Sequence, residues 1–214
     1  MRLTKHVHAC VEIAHGGDLL LIDPGAYTPD AAELLDRAHA VLLTHAHPDH
    51  VHADAIAGAL ASRPGLRVYG PASALAPWAA PFADRATAVE PGDAFRVGGL
   101  EVTVHGGTHA VIHPDLPGVA NVGYLVGDRV FHPGDSYEVP AVDVELLLVP
   151  VSGPWMKLAE AVDFVRAVAP RRAVGIHELA ASDFGMRLVA TRLSEGGLTP
   201  TPVELLAPGE AIEV

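Results

Sequence analysis

A chain of 214 residues that is 50% apolar is long enough to bury one large core, and it carries too much hydrophobic surface to remain disordered. Its net charge of −12, from 14 Lys and Arg against 26 Asp and Glu, lacks the basic footprint of a sequence-independent nucleic-acid binder. The single cysteine, Cys10, excludes an intramolecular disulfide and a thiolate-based zinc cluster.

The opening residues lack the apolar core of a signal peptide, and no run approaches the ~20 apolar residues of a membrane span. The expectation is therefore one domain over residues 1–214, cytoplasmic and away from membranes, with a homo-oligomer left open.

The opening reads as a β-hairpin. Val7, Cys10-Val11 and Ile13 lie in one strand, His15-Gly16-Gly17-Asp18 supplies the turn and Leu19 to Ile22 returns. Asp23-Pro24-Gly25 ends that second strand. Residues 29–38 fit a short helix with Leu34 and Leu35 on its buried side, followed by a strand at 40–44 and an Ala-rich helix near 53–61. Residues 66–69 suggest another strand, and 71–81, rich in Ala and Pro, are expected to be helical only in part.

A second hairpin, 94–97 with 100–104, turns at Gly98-Gly99. A loop at 106–118 follows, and then a third hairpin, 119–126 with 129–131, joined at Gly127-Asp128. Residues 144–149 are almost wholly apolar, as in a strand covered on both faces. Residues 157–168 have helical spacing, 173–176 form a strand that ends at His177, and 183–195 form a helix closed by Gly196-Gly197. The tail, 203–206 and 211–214, reads as two edge strands. Hairpins with helices between later strands predict an α+β fold: a four-layer αββα sandwich of two mixed sheets with helices outside.

The densest chemistry lies in Thr44-His45-Ala46-His47-Pro48-Asp49-His50, directly after the apolar run at 40–43. Three imidazoles and a carboxylate leave a strand end and enter a loop, where catalytic groups are usually carried on a rigid scaffold. Two histidines at i and i+2 can grip one metal ion while the aspartate and the last histidine turn toward a second. Other apolar strands also end in ligand types: His109 after a Gly-rich turn, Asp135 after Pro133-Gly134, and His177 after Val174-Gly175-Ile176.

These residues resemble the metallo-β-lactamase fold superfamily, whose His-x-His-x-Asp-His signature matches His45, His47, Asp49 and His50. The opening His8-Ala9-Cys10-Val11, the segment Leu21-Ile22-Asp23-Pro24-Gly25 and the segment His132-Pro133-Gly134-Asp135-Ser136 are similar to the branch that includes ascorbate-6-phosphate lactonase and uncharacterised metal-dependent hydrolases. The resemblance implies that His45, His47 and His109 hold a first divalent ion. Asp49, His50 and His177 would hold a second, with Asp135 bridging both. Zinc (Zn²⁺) is the first expectation, with manganese or iron as alternatives, because imidazoles and carboxylates suit all three. Two ions about 3.5–4 Å apart can share one hydroxide and polarise the bond to be cut, and Asp49 would orient that hydroxide and take its proton.

His105, His109 and His113 compete for the third histidine position. His109 is favoured because Gly106-Gly107-Thr108 can turn it inward, and His113 becomes a catalytic candidate on the substrate side. Asp23 and His8 are candidates to orient metal-bound imidazoles, although Asp23 reads equally well as a turn cap. His132 either supports the site or merely ends a strand. His6, His15, His39 and His52 read as surface residues, and Cys10 as core. Trp155 and Lys157 could line the pocket mouth, but an ordinary loop and helix start is the favoured reading there.

The first functional expectation is a dinuclear metal hydrolase of a small ester-like molecule, with a lactone leading. A phosphodiesterase of small nucleotides or phosphate esters is the rival, and a non-catalytic metal-binding protein the third possibility. The expected partner is a small-molecule substrate, with no nucleic acid and no membrane.

Overall fold

Strands that are apolar at consecutive positions must be covered on both faces, and this requirement organises the molecule. The computed structural model describes residues 1–194 and 196–214. Strands β1 (Arg2–Lys5), β2 (Val11–His15), β3 (Asp18–Ile22), β4 (Ala40–Leu42), β5 (Arg67–Gly70) and β6 (Ala86–Ala88) line up in chain order in a first sheet. Strands β7 (Ala94–Val97), β8 (Leu100–Thr108), β9 (Ala120–Val126), β10 (Val130–His132), β11 (Leu146–Pro150), β12 (Arg172–Ile176) and β13 (Val203–Glu204) do the same in a second. The last strand, β14 (Ala211–Glu213), returns to pair with β1, so each sheet has seven strands and the tail supplies one edge of each.

Both sheets begin as antiparallel hairpins and then turn parallel. The change comes at β3–β4 in the first sheet and at β10–β11 in the second. Parallel neighbours need crossovers, and helices supply them everywhere except between β10 and β11, where residues 133–145 cross without one. Helices α1 (Ala31–Arg37), α2 (Ala53–Ser62) and α3 (Ala72–Leu75) serve the first sheet, and α4 (Leu158–Val168) and α5 (Asp183–Leu193) the second.

Side-chain alternation then sorts the core into three apolar layers. Leu20 and Ile22 of β3 and Leu42 of β4 turn into the space between the sheets and meet Val102, Val104, Leu146 and Leu148. Their neighbours Leu21 and Val41 point the other way, against Leu34 and Leu35 of α1 and Ile56 and Leu60 of α2. On the second sheet Phe131, Leu147 and Val149 face Val162 and Val165 of α4 and Val189 and Leu193 of α5. The result is the four-layer αββα sandwich expected from the sequence.

Several boundaries differ from the sequence-based expectation. Strand β8 runs through Gly106-Gly107 to Thr108, pairing in register with 120–122, so the loop begins at His109 rather than at 106. Strands β1 and β6 are additions; each is short and carries too few apolar side chains to signal a strand. Within 71–81 only Ala72–Leu75 is helical. Helix α5 ends at Leu193, and the expected last residue, Glu195, lies outside the described residues.

His6 is not a surface residue. It is buried, its backbone N–H donates to the Cys10 carbonyl, and its ring lies between Glu12 and Asp30, because the β1–β2 connection folds back over the start of α1. Among the described residues no helix is long and apolar enough to cross a membrane.

Leu148 is fully buried between the sheets. Leu148→Ala is expected to lower unfolding free energy by about 2–5 kcal/mol in urea titration. A loss below about 1 kcal/mol would contradict a tightly packed layer between the sheets.

Candidate metal centre

The ligand-bearing strand ends are tied to one another by their backbones. After β4, the Leu43 N–H donates to the Tyr69 carbonyl, and the Thr44 carbonyl accepts from Val122 N–H of the second sheet. The buried Tyr124 hydroxyl donates to the Leu43 carbonyl at 2.8 Å, a second bond across the same junction. Asp23, in the left-handed region at φ 50°, accepts from the Thr44 N–H at 2.8 Å and the Thr44 hydroxyl at 2.6 Å.

Gly25 packs so closely on the histidine loop that a Cβ there would overlap the Asp49 carbonyl. Asp135 is pinned by Asn121, whose side-chain oxygen accepts the Asp135 N–H at 3.0 Å while its NH₂ donates to the Pro133 carbonyl at 2.9 Å. His177 follows β12 at φ 64° and donates its N–H to the His8 carbonyl.

These constraints bring two groups together. His45, His47, His109 and Asp135 form one, and His8, Asp49, His50 and His177 the other, with the potential ligand atoms of each group within 4.8 Å of one another. Asp135 stands between them. Its Oδ2 lies 3.3 Å from His109 Nε2, 3.9 Å from His45 Nε2 and 3.1 Å from His177 Nε2, and its Oδ1 lies 3.1 Å from His50 Nε2. All seven residues expected as ligands therefore meet at one edge of the sandwich.

The choice among the three mid-chain histidines is also visible. His105 stays in β8, bonded to Thr103, and only His109 turns inward. His113 joins neither group; its ring is exposed, accepts the Asp115 N–H and lines the rim of the cavity beside His47 and His109.

The hydrogen-bond network assigns the imidazole protons. His50 Nδ1–H donates to Asp23 Oδ2 at 2.7 Å, and His109 Nδ1–H donates to the Ala110 carbonyl. Because the Thr44 hydroxyl gives its own proton to Asp23, it accepts from His45 Nδ1–H. Each of these rings consequently turns Nε2, the atom available to a metal, to the centre. On His50 burial is outweighed by the carboxylates of Asp135 and Asp23, which lift the imidazole well above its usual range, and an ion would take a proton's place there. His50, His109 and His177 Nε2 and Asp135 Oδ1 are buried with no hydrogen-bond partner among the described residues, although carboxylate oxygens stand near the nitrogens. Such contacts are close but misaligned as hydrogen bonds. Buried polar atoms are normally paired, so converging unpaired donors fit a cation.

The electrostatics agree. Burial holds His45 and His47 below the usual imidazole range, in the neutral form that ligates. Burial works against charge on Asp135, but His50 outweighs it and keeps the carboxyl well below the ordinary range. Burial likewise opposes charge on His177, yet the carboxylates of Asp135 and Asp49 lift it to about 9. A divalent cation would answer these carboxylates in the proton's place. Imidazole and carboxylate donors suit zinc, iron and manganese alike.

His8 lies within reach of the second group, but its hydrogen bonds differ from those of its neighbours. Its Nδ1 accepts the Leu179 N–H at 3.4 Å, so its proton sits on Nε2, which donates to Asp49 Oδ2 at 3.1 Å. The ring therefore steadies Asp49. The chain around it is clamped by the buried Lys5, whose ammonium shares Glu178 Oε1 with the His8 N–H. Asp23, read equally as a turn cap, orients His50. His132 is satisfied on both ring nitrogens and supports the backbone only.

Trp155 departs from the favoured ordinary-loop reading. It is buried, and its indole N–H donates to Asp135 Oδ2 at 3.0 Å. The signal was available: Ser152 to Trp155 follow the apolar β11, one more strand end at the same edge. Lys157 is exposed and paired with Glu160. Asn121 gave no signal, since a lone Asn near the start of a strand is ordinary.

The proton assignment separates positioning residues from ligands. His8→Ala is expected to bind metal about 10–100-fold more weakly yet saturate at the parent's stoichiometry, whereas His50→Ala should saturate about one ion lower, both read by equilibrium dialysis with elemental analysis. An ion lost from His8→Ala at saturation would make His8 a ligand.

Residues 2–177 match the family described as the beta-lactamase superfamily domain. The chain is 37% identical over 217 residues to Protein Rv0786c of Mycobacterium tuberculosis, covering 99% of each chain. It is 23% identical to the UPF0173 metal-dependent hydrolase MJ1163 of Methanocaldococcus jannaschii, over 82% of this chain and 83% of that one. Among solved structures it resembles Igni18, described as a novel metallo hydrolase from the hyperthermophilic archaeon Ignicoccus hospitalis, with a TM-score of 0.74 at 19% identity, covering 99% and 97% of the two chains. The chain belongs to the beta-lactamase superfamily and carries the metallo-β-lactamase fold.

Proposed function

We propose that the protein is a metal-dependent hydrolase that opens a small carbonyl ester, with lactones first, at a centre of two divalent ions. The observation that carries this reading is Asp135, one carboxylate whose two oxygens face the imidazoles of both groups. His45, His47 and His109 would hold one ion and Asp49, His50 and His177 the other, with Asp135 between them. When bound, the ions supply a water acidic enough to react near neutral pH and polarise the carbonyl oxygen.

The chain's own residues do the rest. The Thr44–Asp23–His50 bonds and the Asn121–Asp135 bond hold the donors in place, so little reorganisation accompanies reaction. Asp49 Oδ2, steadied by His8, orients the attacking water. In the reaction, the water oxygen forms a bond to the carbonyl carbon and the bond from that carbon to the ring oxygen breaks. A water proton passes by way of Asp49 to the leaving oxygen, giving a hydroxy acid. Trp155 covers one side of Asp135 and limits its access to bulk water. His113 belongs to the substrate side of the rim, outside this proton path. Similarity to a protein named as a metal-dependent hydrolase supports the hydrolase reading.

Removing metal with a chelator is expected to abolish lactone opening, and restoring zinc or manganese to return it. His47→Ala and Asp135→Ala should each lower kcat/KM by about a hundredfold or more, read by pH-stat titration of the acid released. Activity that persists in both variants would locate catalysis elsewhere.

A further inference from the structure

The loop from His109 to Val119 leaves large apolar side chains in water beside the metal centre: Val111 is 70% exposed, Leu116 55% and Ile112 41%. A concentration of this kind on one short loop marks a binding surface. Beside it lies a cavity of about 240 Å³, lined by His47 and His109 of the first ligand group and by Val111, Ile112, Leu116 and Val119. The cavity thus adjoins the first ligand group, and the rest of its lining is mostly hydrocarbon, with Thr108 and His113 as its other polar side chains.

Charge narrows the occupant further. Among the described residues no Lys or Arg lines this cavity. Lys157 lines a second cavity on the far side of the same loop, but its ammonium is 2.9 Å from Glu160 and already answered. A phosphate or carboxylate entering the apolar cavity would lose its hydration with no countercharge to replace it, in a protein of net charge −12.

We propose that the substrate is an uncharged ester-like molecule with an apolar tail of several carbons, the tail lying under Val111, Ile112 and Leu116 and the scissile carbonyl turned toward His47 and His109. This inference rests on the hydrolase reading and adds the substrate's chemical class. It bears on the tail alone: a charged group there would lie where no Lys or Arg lines the cavity.

The test uses γ-lactones whose alkyl tail grows from one to seven carbons, the same tails ending in a carboxylate or a phosphate, and the matching γ-lactams, which bind but resist opening. With the metal-loaded protein, kcat/KM for the lactones is expected to rise about two- to fourfold per methylene until the cavity is filled. Lactam affinity by calorimetry should rise by the same factor, and a charged tail end should cost tenfold or more. Val111→Asp and Leu116→Asp should flatten the dependence on tail length in both measurements while metal content stays at the parent value. Lactones opened at a rate independent of tail length, or faster with a phosphate on the tail, would overturn the inference and leave the hydrolase reading intact. Lactams bound in proportion to tail length, with no ester or lactone opened, would keep the apolar subsite and overturn the hydrolase reading. Lactams bound at no tail length would overturn the subsite itself.

Discussion

The carboxylate of Asp135 is the constraint on which the rest of this molecule turns. It is 2% exposed and stands 3.1–3.9 Å from the Nε2 atoms of His45, His50, His109 and His177. A buried charge is costly unless its field is met by opposite charge or aligned donors. The Asn121 side chain bonds the Asp135 backbone and the Trp155 indole reaches one carboxylate oxygen, but the other oxygen has no aligned partner among the described residues. The surrounding histidines are themselves turned, by Asp23, Thr44 and the Ala110 carbonyl, so that their Nε2 atoms face inward. Removing any one of those outer bonds would free a ring to take the other tautomer and lose its lone pair to a proton.

The backbone bears the cost of that arrangement. His8, Asp23 and His177 all adopt positive φ, a conformation that side chains other than glycine rarely take and that costs about 1–3 kcal/mol at each position. All three are at the centre, and each is held by bonds from another segment: Glu178 on the His8 N–H, Thr44 on Asp23, and the His8 carbonyl on the His177 N–H. Two tightly filled sheets supply the rigidity. The ends of β4, β8, β10, β11 and β12 meet because both sheets pass from antiparallel hairpins into parallel strands, so that several strands finish at the same edge.

Much of this was legible in the sequence, for reasons that differ by element. The layers could be read because Leu20, Leu21, Ile22 and the run at 146–149 are apolar on both sides, and a strand of that kind demands cover on both faces. The meeting of His45, His47, Asp49, His50, His109, Asp135 and His177 at one edge could be anticipated because each segment follows an apolar strand, His109 by way of a Gly-rich turn. Strands β1 and β6 could not, since their partners rather than their own composition hold them in a sheet. His6 was misread because burial in a reverse turn depends on what folds over it. Trp155 was undervalued because its partner, Asp135, is 20 residues away and no local pattern links them. The tautomer that distinguishes His8 from its neighbours depends on the Leu179 N–H, a contact between segments 171 residues apart.

The ligand side and the substrate side of the centre obey opposite rules. Around Asp135 every polar atom is directed and charge is concentrated. Along 109–119 the large exposed side chains Val111, Ile112 and Leu116 are hydrocarbon, and the exposed polar ones, His113 and Asp115, stand beside each other. That division suits a reaction in which a carbonyl must be activated while the body of the molecule is held without charge. The central claim is that one carboxylate joins two ions. Metal K-edge absorption spectroscopy combined with anomalous diffraction on protein loaded to saturation tests it most directly. The account predicts two ions about 3.5–4 Å apart, each with an Asp135 oxygen in its coordination shell. A single ion at saturation, or two ions with Asp135 bound to only one of them, would contradict it.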